Sequence, residues 1–236
     1  MKKLTISLLL MSTVTLAGCT TAATNIGKES NNSGTIDEMS LVDIDTERAD
    51  DALERLKRGN RLYINDKSQV MDISSERRAE LTKGQNPFAV VVSCSDSRVV
   101  TSHIFNTGVG DIFDIKLAGN VIDDLALGSI EYGVEHLGIK LLVVMGHESC
   151  GAVTAAYNSV NEDEEVHGNI ASITNKIEPV ISGATSIEEA SHNNVNSVIE
   201  EIKKDEAIKK LVDSGELKIV SAYYNLNGEV EFLENN

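Results

Sequence analysis

The spacing of apolar and polar residues changes several times along the chain, and each change marks an element. Between Thr46 and Lys67, Ala52-Leu53, Leu56 and Leu62-Tyr63 recur at helical intervals among charges, which predicts an amphipathic helix broken near Gly59-Asn60. A second, charged helix is predicted from Ser75 to Lys83, stopping at Gly84 and Pro87. Phe88-Ala89-Val90-Val91-Val92-Ser93 is continuously apolar and β-branched, the pattern of a strand buried on both faces. Asp111 to Leu117 reads as another strand, Val121 to Leu137 as a helix, and Lys140 to Met145 as a second fully buried strand. Cys150 to Val160 and two or three further segments up to Val212 are helical in pattern. Leu217 to Tyr224 and Val230 to Leu233 form a hairpin across Asn227-Gly228. Strands separated by helices imply βαβ crossovers. The expected fold class is α/β, a mainly parallel β-sheet with flanking helices and an antiparallel C-terminal edge strand.

The amino-terminal end has a different texture. Lys2 and Lys3 precede an apolar run from Leu4 to Leu16 that is too short to span a bilayer and ends in Leu16-Ala17-Gly18-Cys19. This resembles a bacterial lipoprotein signal, which implies cleavage before Cys19 and lipid on that residue. An ordinary secretory peptide with a spare cysteine is the alternative, and it too exports the chain. From Thr20 to about Asp45 the residues are polar, small or acidic with no apolar period, so they cannot bury enough surface to fold. The expected organisation is a signal over 1–18, an acidic and polar tether over 19–45, and one domain over 46–236. The chain would then be exported and lipid-anchored to a bacterial membrane, facing outside the cytoplasm.

Charge sharpens that picture. With 21 basic against 37 acidic residues the net charge is -16, and removal of the signal takes away two lysines and no acid. So acidic a body disfavours nucleic acid and anionic lipid, leaving the N-terminal lipid as the membrane attachment.

Chemistry is concentrated in two short runs. Cys94-Ser95-Asp96-Ser97-Arg98 and His147-Glu148-Ser149-Cys150-Gly151 each follow a predicted buried strand, and ligands of such sheets gather beyond the carboxyl ends of the strands. Cys94 and His147 are expected one or two residues past their strands. Two thiols and an imidazole form a Cys2His set for Zn2+, and three protein ligands leave one vertex open, as catalytic sites do. Asp96 can close that vertex as a fourth metal ligand. Arg98, two residues on, can instead grip the Asp96 carboxylate with its planar fork, turn it from the metal, and leave it to orient or deprotonate a zinc-bound water. Cys150 begins a predicted helix, whose amides favour the thiolate. The competing reading is a Cys94–Cys150 disulfide, the default for two cysteines in an exported chain, but it gives the flanking polar residues no role.

On these residues the chain resembles the β-class carbonic anhydrases. The similarity runs from Ala52 to Leu226 and is densest in SCSDSR at 93–98, LAGN at 117–120, GSIEYGVEHLG at 128–138 and GHESCGAV at 146–153. The resemblance implies zinc on Cys94, His147 and Cys150, with Asp96 bound to it in a closed state or paired with Arg98 in an open one. It implies reversible hydration of carbon dioxide to bicarbonate and a proton by zinc hydroxide. It also implies a homodimer or dimer of dimers with embracing N-terminal helices. Gly151 is expected to offer a backbone amide to substrate. The chain departs from the family's habit at three places: Val99-Val100-Thr101-Ser102 follows the first motif where Val-Pro-Pro-Glu is common, a frequent glutamine is Thr107, and an arginine of the second strand is Lys116. Two other readings keep the same zinc: hydrolysis of carbonyl sulfide or carbon disulfide, and a non-catalytic zinc-binding lipoprotein.

His103, His136, His167 and His192 have no partner spacing, and Glu162 to Glu165 lacks the spacing and glycine of a calcium loop. They read as packed or solvated residues, with His103 near enough in sequence to the first motif to relay protons. Gly108-Val109-Gly110 is too short to cradle phosphate and is expected to make a turn near the active site.

Overall fold

In the computed structural model, residues 44–162 and 164–233 are described. The expected signal, Cys19 and nearly all of the expected tether therefore lie outside the described residues.

A five-stranded sheet organises the domain. Strands β1 (Ala89–Ser93), β2 (Ile112–Lys116), β3 (Leu141–His147), β4 (Lys218–Tyr224) and β5 (Val230–Leu233) are ordered β2-β1-β3-β4-β5. All neighbours are parallel except β4 and β5, which form the antiparallel hairpin. All five residues of β1 and all seven of β3 are buried, as an interior parallel strand requires. Alternate residues feed two cores. Ala89, Val91, Val143, Met145, Val220 and Ala222 pack with Leu53 and Leu56 on one face. Val90, Val92, Leu142 and Val144 pack with Ile130, Val195, Ile199 and Ile208 on the other.

The helices that cover these faces are α1 (Ala49–Ile64), α2 (Ser75–Leu81), α3 (Thr101–Ile104), α4 (Asp124–Glu131), α5 (Gly151–Glu162), α6 (Ala171–Ile181), α7 (Ile187–Ile202) and α8 (Glu206–Asp213). The break expected near Gly59-Asn60 does not occur, and α1 runs through both residues. Tertiary contacts override propensity there. A Cβ on Gly59 would lie 1.8 Å from the Phe105 carbonyl oxygen, so only glycine lets α1 approach that turn. Asn60, buried, donates to the carbonyl of Gly228 at 2.8 Å and accepts from the amide of Val230 at 3.0 Å, pinning α1 to the terminal hairpin. The helix expected from Val121 starts later, where the Asp123 side chain accepts from the Ala126 amide and caps α4.

Candidate metal centre

The parallel register places the carboxyl ends of β1 and β3 side by side, Ser93 opposite Met145. Cys94 follows β1 by one residue. His147 is the last residue of β3 rather than a residue beyond it, since its backbone still pairs with β4 opposite Tyr224. Cys150 comes just before α5. A sulfur from each cysteine and a ring nitrogen of His147 all lie within 4.8 Å of one another, and all three residues are buried.

Both cysteines are free thiols, with Sγ atoms 4.0 Å apart, so the disulfide alternative is overturned. A tetrahedral ion about 2.3 Å from each sulfur would hold them about 3.8 Å apart, close to the observed separation. His147 points to the same use. Its Nδ1–H donates to the Glu148 carbonyl at 2.9 Å, which leaves a lone pair on Nε2. That Nε2 is buried and has no hydrogen-bond partner among the described residues. An orphaned buried acceptor is costly, and a cation shared with two sulfurs relieves it.

The sulfurs are prepared as donors. The Cys150 thiol donates to Cys94 and, with His147 alongside, holds Cys94 down to about 4, against the upward pull of burial. Amides of Gly119, at 3.3 Å, and Asp96, at 3.4 Å, add to the stabilisation of the Cys94 thiolate. Cys150 is pushed up because its proton is committed to Cys94, because it is buried, and because a second anion would face the first. Amides of Ala152 and Val153 at the start of α5 oppose that rise.

Asp96 stands outside this trio and faces Arg98. Its Oδ1 accepts from Arg98 Nε at 2.9 Å and from the Arg98 amide at 2.8 Å, and its Oδ2 accepts from Nη2 at 2.8 Å. Arg98 holds the carboxyl well below the usual carboxylate range. Arg98 also donates to the Ser149 carbonyl at 3.1 Å, tying the two motif loops together. Gly151 opens α5 with exposed backbone, and nothing lies within 4 Å of where a Cβ would stand.

Other expected positions fall elsewhere. Thr107 is buried, and its Oγ1 has no partner among the described residues. His103 and His136 are exposed, and His136 lies against Tyr132. His192 stacks on Tyr223 with ring centroids 4.5 Å apart, while His167 pairs with Glu165 at the surface. Gly108 is packed against the Asp72 backbone and Gly110 against Leu81.

Two contributors escaped the sequence reading. Gly119 has φ of +66°, which aims its amide at the Cys94 sulfur, and its carbonyl accepts from the buried Asn194 side chain of α7 at 2.8 Å. The LAGN motif signalled the glycine; nothing local signalled Asn194.

The family model described as carbonic anhydrase matches residues 89–230. Carbonic anhydrase 2 of Mycobacterium tuberculosis is 36% identical over 182 residues, 75% of this chain and 88% of the relative. A carbonic anhydrase of Mycolicibacterium smegmatis is 37% identical over 187 residues, covering 76% and 91%. In fold, the chain matches one of two tetrameric β-carbonic anhydrases of Sordaria macrospora at a TM-score of 0.61, with 22% identity over 67% of this chain and 86% of that one. The chain belongs to the β-class carbonic anhydrases. Members of this class are zinc enzymes, and the Cys2His donor set with its orphaned imidazole nitrogen fits that metal.

Proposed function

We infer that this β-class carbonic anhydrase interconverts carbon dioxide and water with bicarbonate and a proton, at zinc held by Cys94, His147 and Cys150. The observation that carries the site is the convergence of those three donors on one buried point, with Asp96 turned away from it. When bound, zinc supplies the Lewis acidity that makes water a nucleophile near neutral pH. The chain's own residues do the rest. Arg98 keeps Asp96 ionised and fixed, so its carboxylate orients the attacking water as a hydrogen-bond acceptor. Both Asp96 oxygens accept from Arg98, which holds the carboxylate in place and suits it to orienting water rather than to removing a proton. Gly151, exposed at the start of α5, would offer its amide to a substrate oxygen.

The test is stopped-flow hydration of carbon dioxide by the zinc-loaded protein beside Asp96→Asn. Retained zinc with turnover lowered about a hundredfold is expected, the scale of losing one preorganised group at a reacting centre. Full zinc occupancy with background hydration would favour a zinc-binding protein, and rapid turnover of carbonyl sulfide alone would favour the hydrolase.

We also propose that the mature chain is exported and carried on a lipid at Cys19, on the strength of the Lys2 to Cys19 pattern. Labelling with a radioactive fatty acid should mark the wild type and spare Cys19→Ala. Assembly as a dimer or a dimer of dimers is supported by exposed Val70 and Ile73 and by α2, which buries none of its residues within one copy.

A further inference from the structure

The loop that carries Cys94, Asp96 and Arg98 leaves β1 at Ser93 and enters α3 at Thr101. Such a loop has little sheet to hold it. Its backbone supplies one internal tie, from the Val99 amide to the Asp96 carbonyl at 3.0 Å. Further support comes from β2, an edge strand: the Ser95 amide donates to the Leu117 carbonyl just past it at 3.2 Å, and Lys116 stands directly opposite Ser93 in the parallel register.

The Lys116 ammonium donates to the Cys94 carbonyl at 2.7 Å, to the Val99 carbonyl at 2.6 Å and to the Ser93 hydroxyl at 3.2 Å. An ammonium has three N–H donors, so all three are used. The two carbonyls belong to residues at opposite ends of the segment that holds Asp96 and Arg98, and they converge on one atom. Asp114, two residues earlier on the same face of β2, accepts from the Thr101 hydroxyl at 2.7 Å and fixes the segment where it enters α3.

We propose that Lys116 is a positioning residue for the hydration reaction: by clasping the carbonyls of Cys94 and Val99 it sets the span of the loop between them, and so the placement of the Asp96–Arg98 pair relative to the Cys94 sulfur. Lys116 touches no reacting atom. It acts through the backbone it holds, and its replacement disturbs the carboxylate before it disturbs the metal donors, because Cys94 is also anchored through its sulfur by the Gly119 amide from outside the loop.

The inference rests on the proposed hydration at this site, so its test includes a measurement that needs no turnover. Lys116→Met and Lys116→Arg are prepared as the zinc-loaded protein, and zinc content, kcat and KM for hydration, and amide hydrogen exchange over residues 94–101 are measured. Lys116→Met is expected to keep its zinc, to lose about tenfold in kcat with KM little changed, and to exchange faster across the loop, the scale of losing an outer hydrogen-bonding partner. Lys116→Arg, which still brings several donors on a cationic stem, should recover most of the rate and the protection. If Lys116→Met fails to fold, Lys116→Gln, with two donors, should show an intermediate loss of protection. Wild-type kinetics and exchange in Lys116→Met would overturn the proposal. Equal losses in the methionine and arginine variants would overturn it as well, since bulk rather than donors would then be at work. A wild type that hydrates no carbon dioxide refutes the reaction, while the exchange result still decides the clasp.

Discussion

The two motif loops reach the same point by different means. His147 is part of β3, an interior strand buried along its whole length, and the residues after it are tied to β4 and its turn: the Glu148 amide donates to the Tyr224 carbonyl at 2.9 Å, and the Leu226 amide to the Glu148 carboxylate at 2.8 Å. Apart from one backbone bond, from the Ser95 amide to the Leu117 carbonyl at 3.2 Å, the Cys94–Val99 loop leans on side chains and on one glycine amide: Lys116, the Asp96–Arg98 pair and Gly119. One loop is braced by the sheet and the other mainly by replaceable groups. The lesson is a division of labour, in which the rigid loop offers a fixed imidazole while the side-chain-braced loop carries the carboxylate that must be aimed.

The comparison breaks most completely at the donors themselves. Cys150→Ser removes a sulfur donor, and with it the thiol that holds the Cys94 thiolate. Near-complete loss of both zinc and hydration activity is expected, by metal analysis after dialysis and by stopped flow. His147→Ala should do the same, and it also deletes the orphaned Nε2. If either variant retained stoichiometric zinc, the trio would not be the metal site.

Much of this was legible in the chain. β1 and β3 announce themselves as unbroken apolar runs centred on valine, and C-x-D and H-x-x-C at their ends point to a metal because those residue types have few other joint uses. The misreadings share a cause. Gly59 and Asn60 look like a helix stop until Phe105 and the terminal hairpin are in place, and those partners lie 44 or more residues away. Asn194 reaches Gly119 across 75 residues, and an asparagine within an amphipathic helix carries no mark of such a destination. Local pattern reports what a residue is suited to; its long-range partner appears only on folding.

The side-chain-braced loop should be sensitive to residues that never touch metal. Asn194→Ala leaves the Gly119 carbonyl without its buried donor, a cost of about 1–3 kcal/mol. Gly119→Ala demands a left-handed conformation of a residue with a Cβ, about 1–2 kcal/mol, and that Cβ would meet Ile177 Cδ1 at 2.9 Å and the Ala152 Cβ at 3.0 Å. Either change should misdirect the amide that supports the Cys94 thiolate and weaken zinc affinity about tenfold or more, as measured by competition with a chromogenic chelator. Loss of stability in urea with unchanged zinc affinity would mean that the Gly119 amide supports the fold alone.

The smallest expected effect concerns acid. Arg98 depresses the Asp96 carboxyl in the folded protein, whereas in the unfolded chain it titrates near the ordinary value of about 3.9. A depressed folded-state value means the unfolded chain binds the proton more readily, so the stabilisation is complete above about pH 4 and is lost as the pH falls through the folded-state value. Arg98 is exposed at the surface, so solvent screening keeps the contribution small. Urea midpoints for wild type and Asp96→Asn should differ slightly at pH 7, with wild type the more stable, and the gap should narrow as the pH is taken below about 4. A gap that held constant into acid would show that ionisation of Asp96 contributes nothing to its hold on Arg98, and the brace on this loop would then have to be credited to the Lys116 side chain and the Gly119 amide.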